Sequence, residues 1–117
     1  MKNGNVVMDL TFNFSLAIIK YAEKLEEQKK YVIARQLLKS GTCIGANVFE
    51  AQSSEGKADF IHKLKIVDKE AHESEYWLTL CNLSDSYPTN NDLRSQKISI
   101  KKVLSKIISS SKRNTHS

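Results

Sequence analysis

Between Gln36 and Leu78 the chain repeats apolar residues at three- and four-residue spacing almost without interruption, and that period is the signature of amphipathic helix. Leu37, Gly41, Ile44, Gly45, Val48 and Ala51 share one face of the first half, with Leu38 assigned to the same inward set. Phe60, Leu64, Val67, Ala71, Ser74, Leu78 and Cys81 share one face of the second. The only breaker-like cluster between them is Ser53 to Gly56, so the segment predicts a helical hairpin with helices over about Tyr31–Gln52 and from just before Asp59 to about Asp85. Asp59 falls in the first turn of its helix, where a carboxylate suits the positive helix end.

The flanks extend the pattern. Leu10, Phe14, Ala17, Ile18, Tyr21 and Leu25 form the core stripe of a first helix starting near Asp9 or Thr11, either of which can cap it. After the loop SYPTNND, a stripe of Ile100, Val103, Leu104, Ile107 and Ile108 makes a fourth helix from about Leu93. One proline and four glycines in 117 residues leave few breaks, and short connections imply antiparallel neighbours. The expected fold is all-α, an antiparallel up-down-up-down four-helix bundle over residues 9–110, with a flexible N-terminus at 1–8 and a flexible basic and polar tail at 111–117.

Two features are not explained by a bundle core. Phe12, Leu16 and Ile19 project from the side of the first helix opposite its core stripe, and Ile66, Trp77 and Leu80 make a second apolar strip near Glu70 and Glu73. Apolar residues on a second helix face call for another surface to cover them, and a second subunit is the simplest one. Phe12, Leu16, Ile19, Ile66 and Trp77 are therefore the expected oligomer interface.

Charge is the other feature. The net charge is +5, and no acidic residue follows Asp92, whereas Arg94, Lys97, Lys101, Lys102, Lys106, Lys112 and Arg113 do. A purely cationic helix suits a phosphate backbone or an acidic partner, although a solvated lysine face has the same composition. Arg94, Lys97, Lys101, Lys102 and Lys106 are the candidate nucleic-acid contacts, with Arg35 and Lys39 of the second helix as a further pair. No aromatic series interleaves with these cations, which argues against stacking on single-stranded bases.

Catalytic and metal chemistry find little to build on. A di-metal bundle needs a Glu-x-x-His motif from each of two helices, and the chain has one Asp-x-x-His, Asp59 and His62, while Glu70 is followed at the same spacing by Glu73. His72 has Glu73 and Glu75 near it in sequence, but adjacent helical residues point apart. Cys43 and Cys81 lie far apart without ligand spacing and read as free thiols of a reducing compartment. No cofactor is expected. No secretory leader or membrane-length apolar run is seen, so a cytoplasmic location is expected.

The pieces Gln36-Leu37-Leu38, Ser40-Gly41-Thr42, Ile44-Gly45-Ala46-Asn47, Glu50-Ala51, Asp59-Phe60-Ile61, Lys63-Leu64, Glu70-Ala71, Glu73 and Tyr76-Trp77-Leu78 together resemble the 23S rRNA intervening sequence proteins. The looser pattern runs from about Leu10 to Ile108. The chain departs at Cys43, where serine is usual, at Gly56, where a capping serine is common, and at Asp68, where the residue is often less acidic. The resemblance implies a four-helix bundle assembled into a cyclic homopentamer. A related accessory protein of diversity-generating retroelements forms such a ring and binds nucleic acid beside a reverse transcriptase. Expected partners are thus other copies of the chain, RNA or another nucleic acid, and alternatively a protein for which the chain acts as a scaffold.

Overall fold

A computed structural model describes the backbone of residues 5–116 and the side chains of residues 5–111. Four helices follow in order: α1 (Val6–Glu27), α2 (Tyr31–Ala51), α3 (Lys57–Leu83) and α4 (Asn91–His116). They form a bundle, and the described residues contain no strand. The residues that touch across each joint run in opposite senses. Ile18 meets Gly41 while Ser15 meets Gly45; Ser40 bonds Ser74 while Glu50 bonds Lys63; Glu75 pairs with Lys97 while Asp68 reaches Lys101. Each consecutive pair is therefore antiparallel. The helices neighbour one another in the cyclic order α1, α2, α3, α4, and within the described residues no α-carbon pair closer than 8 Å joins the diagonals α1/α3 or α2/α4.

The core is the meeting of the four apolar stripes. Phe14, Ile18 and Leu25 of α1, Leu37, Ile44 and Val48 of α2, Leu64, Val67 and Leu78 of α3, and Ile100 and Leu104 of α4 are all buried. At roughly 25 cal/mol per Å2 of apolar surface, burial of each of these side chains contributes about 1.5–3 kcal/mol. Gly41 packs directly against the Ile18 side chain of α1. A β-carbon there would stand 2.8 Å from Ile18 Cγ1, so the glycine's cost to helix propensity is offset by the close approach it permits.

The α1–α2 turn is closed by backbone. Lys30 N donates to Leu25 O at 2.8 Å and Lys29 N to Glu26 O at 2.9 Å, the paired bonds of a Schellman cap, with Lys29 in the left-handed region at φ 64°. The α3–α4 loop is anchored from α1 and from the α1–α2 turn: Tyr21 Oη donates to Pro88 O at 2.7 Å, and Lys30 sits over the Tyr87 ring at 4.7 Å.

Several boundaries and burials differ from the sequence reading. α1 begins at Val6 rather than at Asp9 or Thr11. Val7 is buried, Asp9 lies in the first turn, and the Thr11 hydroxyl is inside the helix donating to Val7 O at 2.9 Å. The backbone of 111–116 continues α4. The expectations for residues 1–4 and for the side chains of Lys112 and Arg113 lie outside the described residues. Leu38, assigned inward, is 39% exposed. It stands one residue past Leu37, turned about 100° away from the core centre toward the outer edge of the α1/α2 joint.

Candidate nucleic-acid interface

α4 carries its apolar stripe inward through Leu93, Ile100 and Leu104, which leaves the remaining arc for the cations. Arg94, Lys102 and Lys106 are exposed and held by no salt bridge among the described residues. Lys101 is 29% exposed, with Nζ 2.9 Å from His72 Nε2 and 3.9 Å from Asp68 Oδ1 of α3. It is partly tied to its neighbour helix.

Lys97 departs from the expectation. It is only 6% exposed and its ammonium donates to Glu75 of α3, so it bridges two helices inside the bundle wall instead of facing solvent. The reason is positional: Lys97 lies four residues after Leu93 and three before Ile100, on the inward arc of α4. The same contact holds the Glu75 carboxyl below its ordinary range, chiefly through the hydrogen bond from Lys97 and against the cost of partial burial.

Arg35 and Lys39 are exposed on α2, but α2 is diagonal to α4, so they do not join the α4 cluster. The structure adds two cations that sequence reading passed over. Lys20 and Lys24 of α1 line a cleft with Asn91 and Asp92 at the start of α4. Their charge is masked in the sequence by Glu23, Glu26 and Glu27, and only the packing of α1 against α4 singles them out.

The apolar surface is divided. Phe12 and Phe49 meet edge-on with ring centroids 6.2 Å apart, and with Leu16, Ile19 and Leu38 they make an exposed strip on the outer α1/α2 joint. Ile66 and Trp77 are half-buried, and Trp77 packs against the core. Leu80 of the expected strip is exposed, and it is joined not by Ile66 and Trp77 but by Tyr76 and Leu83, at the spacing of one helix face. Leu83 is 77% exposed.

Among the described residues no group of three His, Cys, Asp or Glu side chains could hold a metal ion, and Asp59 and His62 are both exposed. Burial pushes the Cys43 thiol up, helped by the charge of Glu70, whose own carboxyl is raised by burial and by Glu73. Burial also raises the Cys81 thiol. Both cysteines are thus biased away from the reactive thiolate. No helix among the described residues is long and apolar enough to cross a membrane.

No curated protein matches the chain. Among solved structures it is similar to the crystal structure of a protein of unknown function from the S23 ribosomal protein family of Bacteroides thetaiotaomicron. That likeness has 42% sequence identity over 88% of this chain and 98% of that one, with a TM-score of 0.81. The 23S rRNA-intervening sequence protein profile matches residues 4–109, nearly the whole bundle, and the chain belongs to that family.

Proposed function

We propose that the protein is a non-enzymatic, oligomeric RNA-binding platform of the cytoplasm, in which the outer cations of α4 grip phosphate. The observation that carries this reading is the exposed set Arg94, Lys102 and Lys106 on a helix with no acidic residue after Asp92. Lys101 joins it in part, and Lys97 does not.

Repetition of the set around a ring supplies affinity. Three or four cations on one bundle bind weakly, but copies held at fixed spacing engage a long polyanion together. The exposed strips on α1/α2 and on α3 are different surfaces, as a head-to-tail contact requires, and such contacts close into rings when the rotation permits. A homopentamer is the assembly expected of this family. The cations on each protomer would then repeat around its rim.

The test is fluorescence anisotropy of nucleic-acid-stripped protein with duplex and single-stranded RNA across a salt series. Binding that weakens steeply with salt supports the reading, because counterions are released on phosphate contact. Absence of binding at low salt contradicts it.

A second reading rests on the exposed Tyr76, Leu80 and Leu83 of α3, the helix next to α4. A surface both apolar and cationic would suit an acidic protein partner, with the chain as a scaffold for a reverse-transcriptase-like or other enzyme. Protein capture that survives salt, without RNA binding, distinguishes this case.

A further inference from the structure

Lys101 stands beside Lys102 on α4 but turns toward α3, where an ammonium, an imidazole and a carboxylate meet across the helix joint. Its Nζ lies 2.9 Å from His72 Nε2 and 3.9 Å from Asp68 Oδ1. Asp68 Oδ2 lies 3.7 Å from the same His72 Nε2. One ring nitrogen therefore faces a cation and an anion together.

That nitrogen can serve only one of them at a time. An ammonium has hydrogens to give and no lone pair, so Lys101 donates and Nε2 accepts, which puts the proton of the neutral ring on Nδ1. In this state Lys101 is tethered to α3 and drawn away from the outer face of α4. A proton added to Nε2 reverses the contact. The ring can no longer accept from Lys101, and its new N–H faces Asp68, which precedes it on α3 at the i, i+4 spacing that favours ion pairs. One carboxylate then stands between two cations. His72 keeps it because ring and carboxylate share a helix, whereas Lys101 has a flexible four-carbon stem that can swing out to water.

The other charges around the ring leave this exchange intact. Glu75, one turn later on α3, is taken up by Lys97 of α4. Lys65 and Lys69, on the same side of α3 one and two turns earlier, are exposed cations and supply no competing anion, and Glu73 points about 100° away. α2 meets α3 on a different side, through Ser74 and Lys63. The His72 side chain is 57% exposed, so a proton reaches it without any opening of the bundle.

We propose that His72 gates Lys101: protonation of the imidazole hands Asp68 to His72 and frees Lys101 to join Arg94, Lys102 and Lys106 as a phosphate contact. The proposal rests on the RNA-binding reading and adds regulation to it, a grip that tightens as pH falls through the range where imidazole ordinarily titrates, about pH 8 to 5.

The test is anisotropy of a duplex RNA probe across a salt series at about pH 7.5 and about pH 5.5, toward the two ends of that range, with wild type, H72Q, K101Q and H62Q. Glutamine at 72 still offers Lys101 an acceptor and cannot take up charge. His62 and His72 are exposed and Lys101 is partly so, and their variants keep the fold. On acidification the wild-type plot of log affinity against log salt should steepen by about 1, the mark of one added lysine contact to phosphate. H62Q should steepen equally, whereas H72Q and K101Q should show the same slope at both pH values. A wild-type slope that does not change, or a K101Q variant that still steepens, overturns the gate and leaves the RNA platform standing. No binding at either pH overturns the platform, and the gate is then decided by the ring-nitrogen NMR signals of the free protein. The neutral His72 ring should carry its proton on Nδ1; a neutral ring protonated on Nε2 overturns the gate by itself.

Discussion

Lys97 of α4 and Glu75 of α3 form an ion pair across a helix joint in which the lysine side chain is 8% exposed and the glutamate 42%. The asymmetry decides its role. A nearly buried ammonium left alone is costly, whereas a half-exposed carboxylate can return to water. Lys97→Gln should therefore destabilise the fold by about 1–2 kcal/mol, less than a fully buried pair would cost.

The pair also sets a pH dependence. The folded-state pKa of Glu75 is depressed, so its contribution is present above the unfolded carboxylate value of about 4.3 and is lost as pH falls through the lower folded value. Urea melts at pH 7 and pH 3 should show the wild type losing more stability on acidification than Lys97→Gln. Equal losses would mean the pair contributes nothing.

Lys29 occupies a left-handed position at the end of α1. Such a conformation costs an L-residue about 1–2 kcal/mol, partly regained in glycine's greater unfolded-state entropy. Lys29→Gly should raise stability by roughly 0.5–1 kcal/mol, read as an upward shift of the thermal midpoint.

Gly41 and Gly45 should respond differently to alanine. At Gly41 the new methyl meets the fully buried Ile18 at 2.8 and 2.9 Å, whereas at Gly45 its closest neighbour is the Ser15 hydroxyl, which can rotate, followed by Thr11 O at 3.3 Å. Both gain about 1 kcal/mol of helix propensity. Overpacking of about 1–3 kcal/mol should outweigh that gain at Gly41 and leave Gly45→Ala near neutral. Denaturant melts of the two variants compare them directly.

Much of this was legible from spacing alone. The four stripes led by Phe14, Leu37, Leu64 and Ile100 needed only the helical period, and they placed the core. Lys97 was misread because its charge suggested solvent while its register pointed inward, and its burial depends on Glu75, a residue 22 positions away in sequence. Lys20 and Lys24 were missed for the converse reason: local acids balance them, and only the α1/α4 joint sets them beside a helix start. The early beginning of α1 followed from Val7, whose burial no capping signal marked. Tertiary neighbours decided each of these cases.

The exposed strip of Phe12, Leu16, Ile19 and Phe49 predicts self-association. Light scattering at micromolar concentration should give a mass several times the 13.3 kDa of one chain. Leu16→Glu with Phe49→Glu should return it to the monomer mass with its helical circular dichroism intact, since both side chains are exposed in the single bundle. A wild-type monomer would contradict the ring.

The most direct measurement is RNA affinity as a function of salt for the wild type, R94Q/K102Q/K106Q and K97Q in parallel. Three phosphate contacts removed per protomer should flatten the plot of log affinity against log salt by roughly 2–3. K97Q, assayed where it remains folded, should keep the wild-type slope. Equal slopes for all three proteins, or loss confined to K97Q, would contradict an RNA platform built on the outer face of α4.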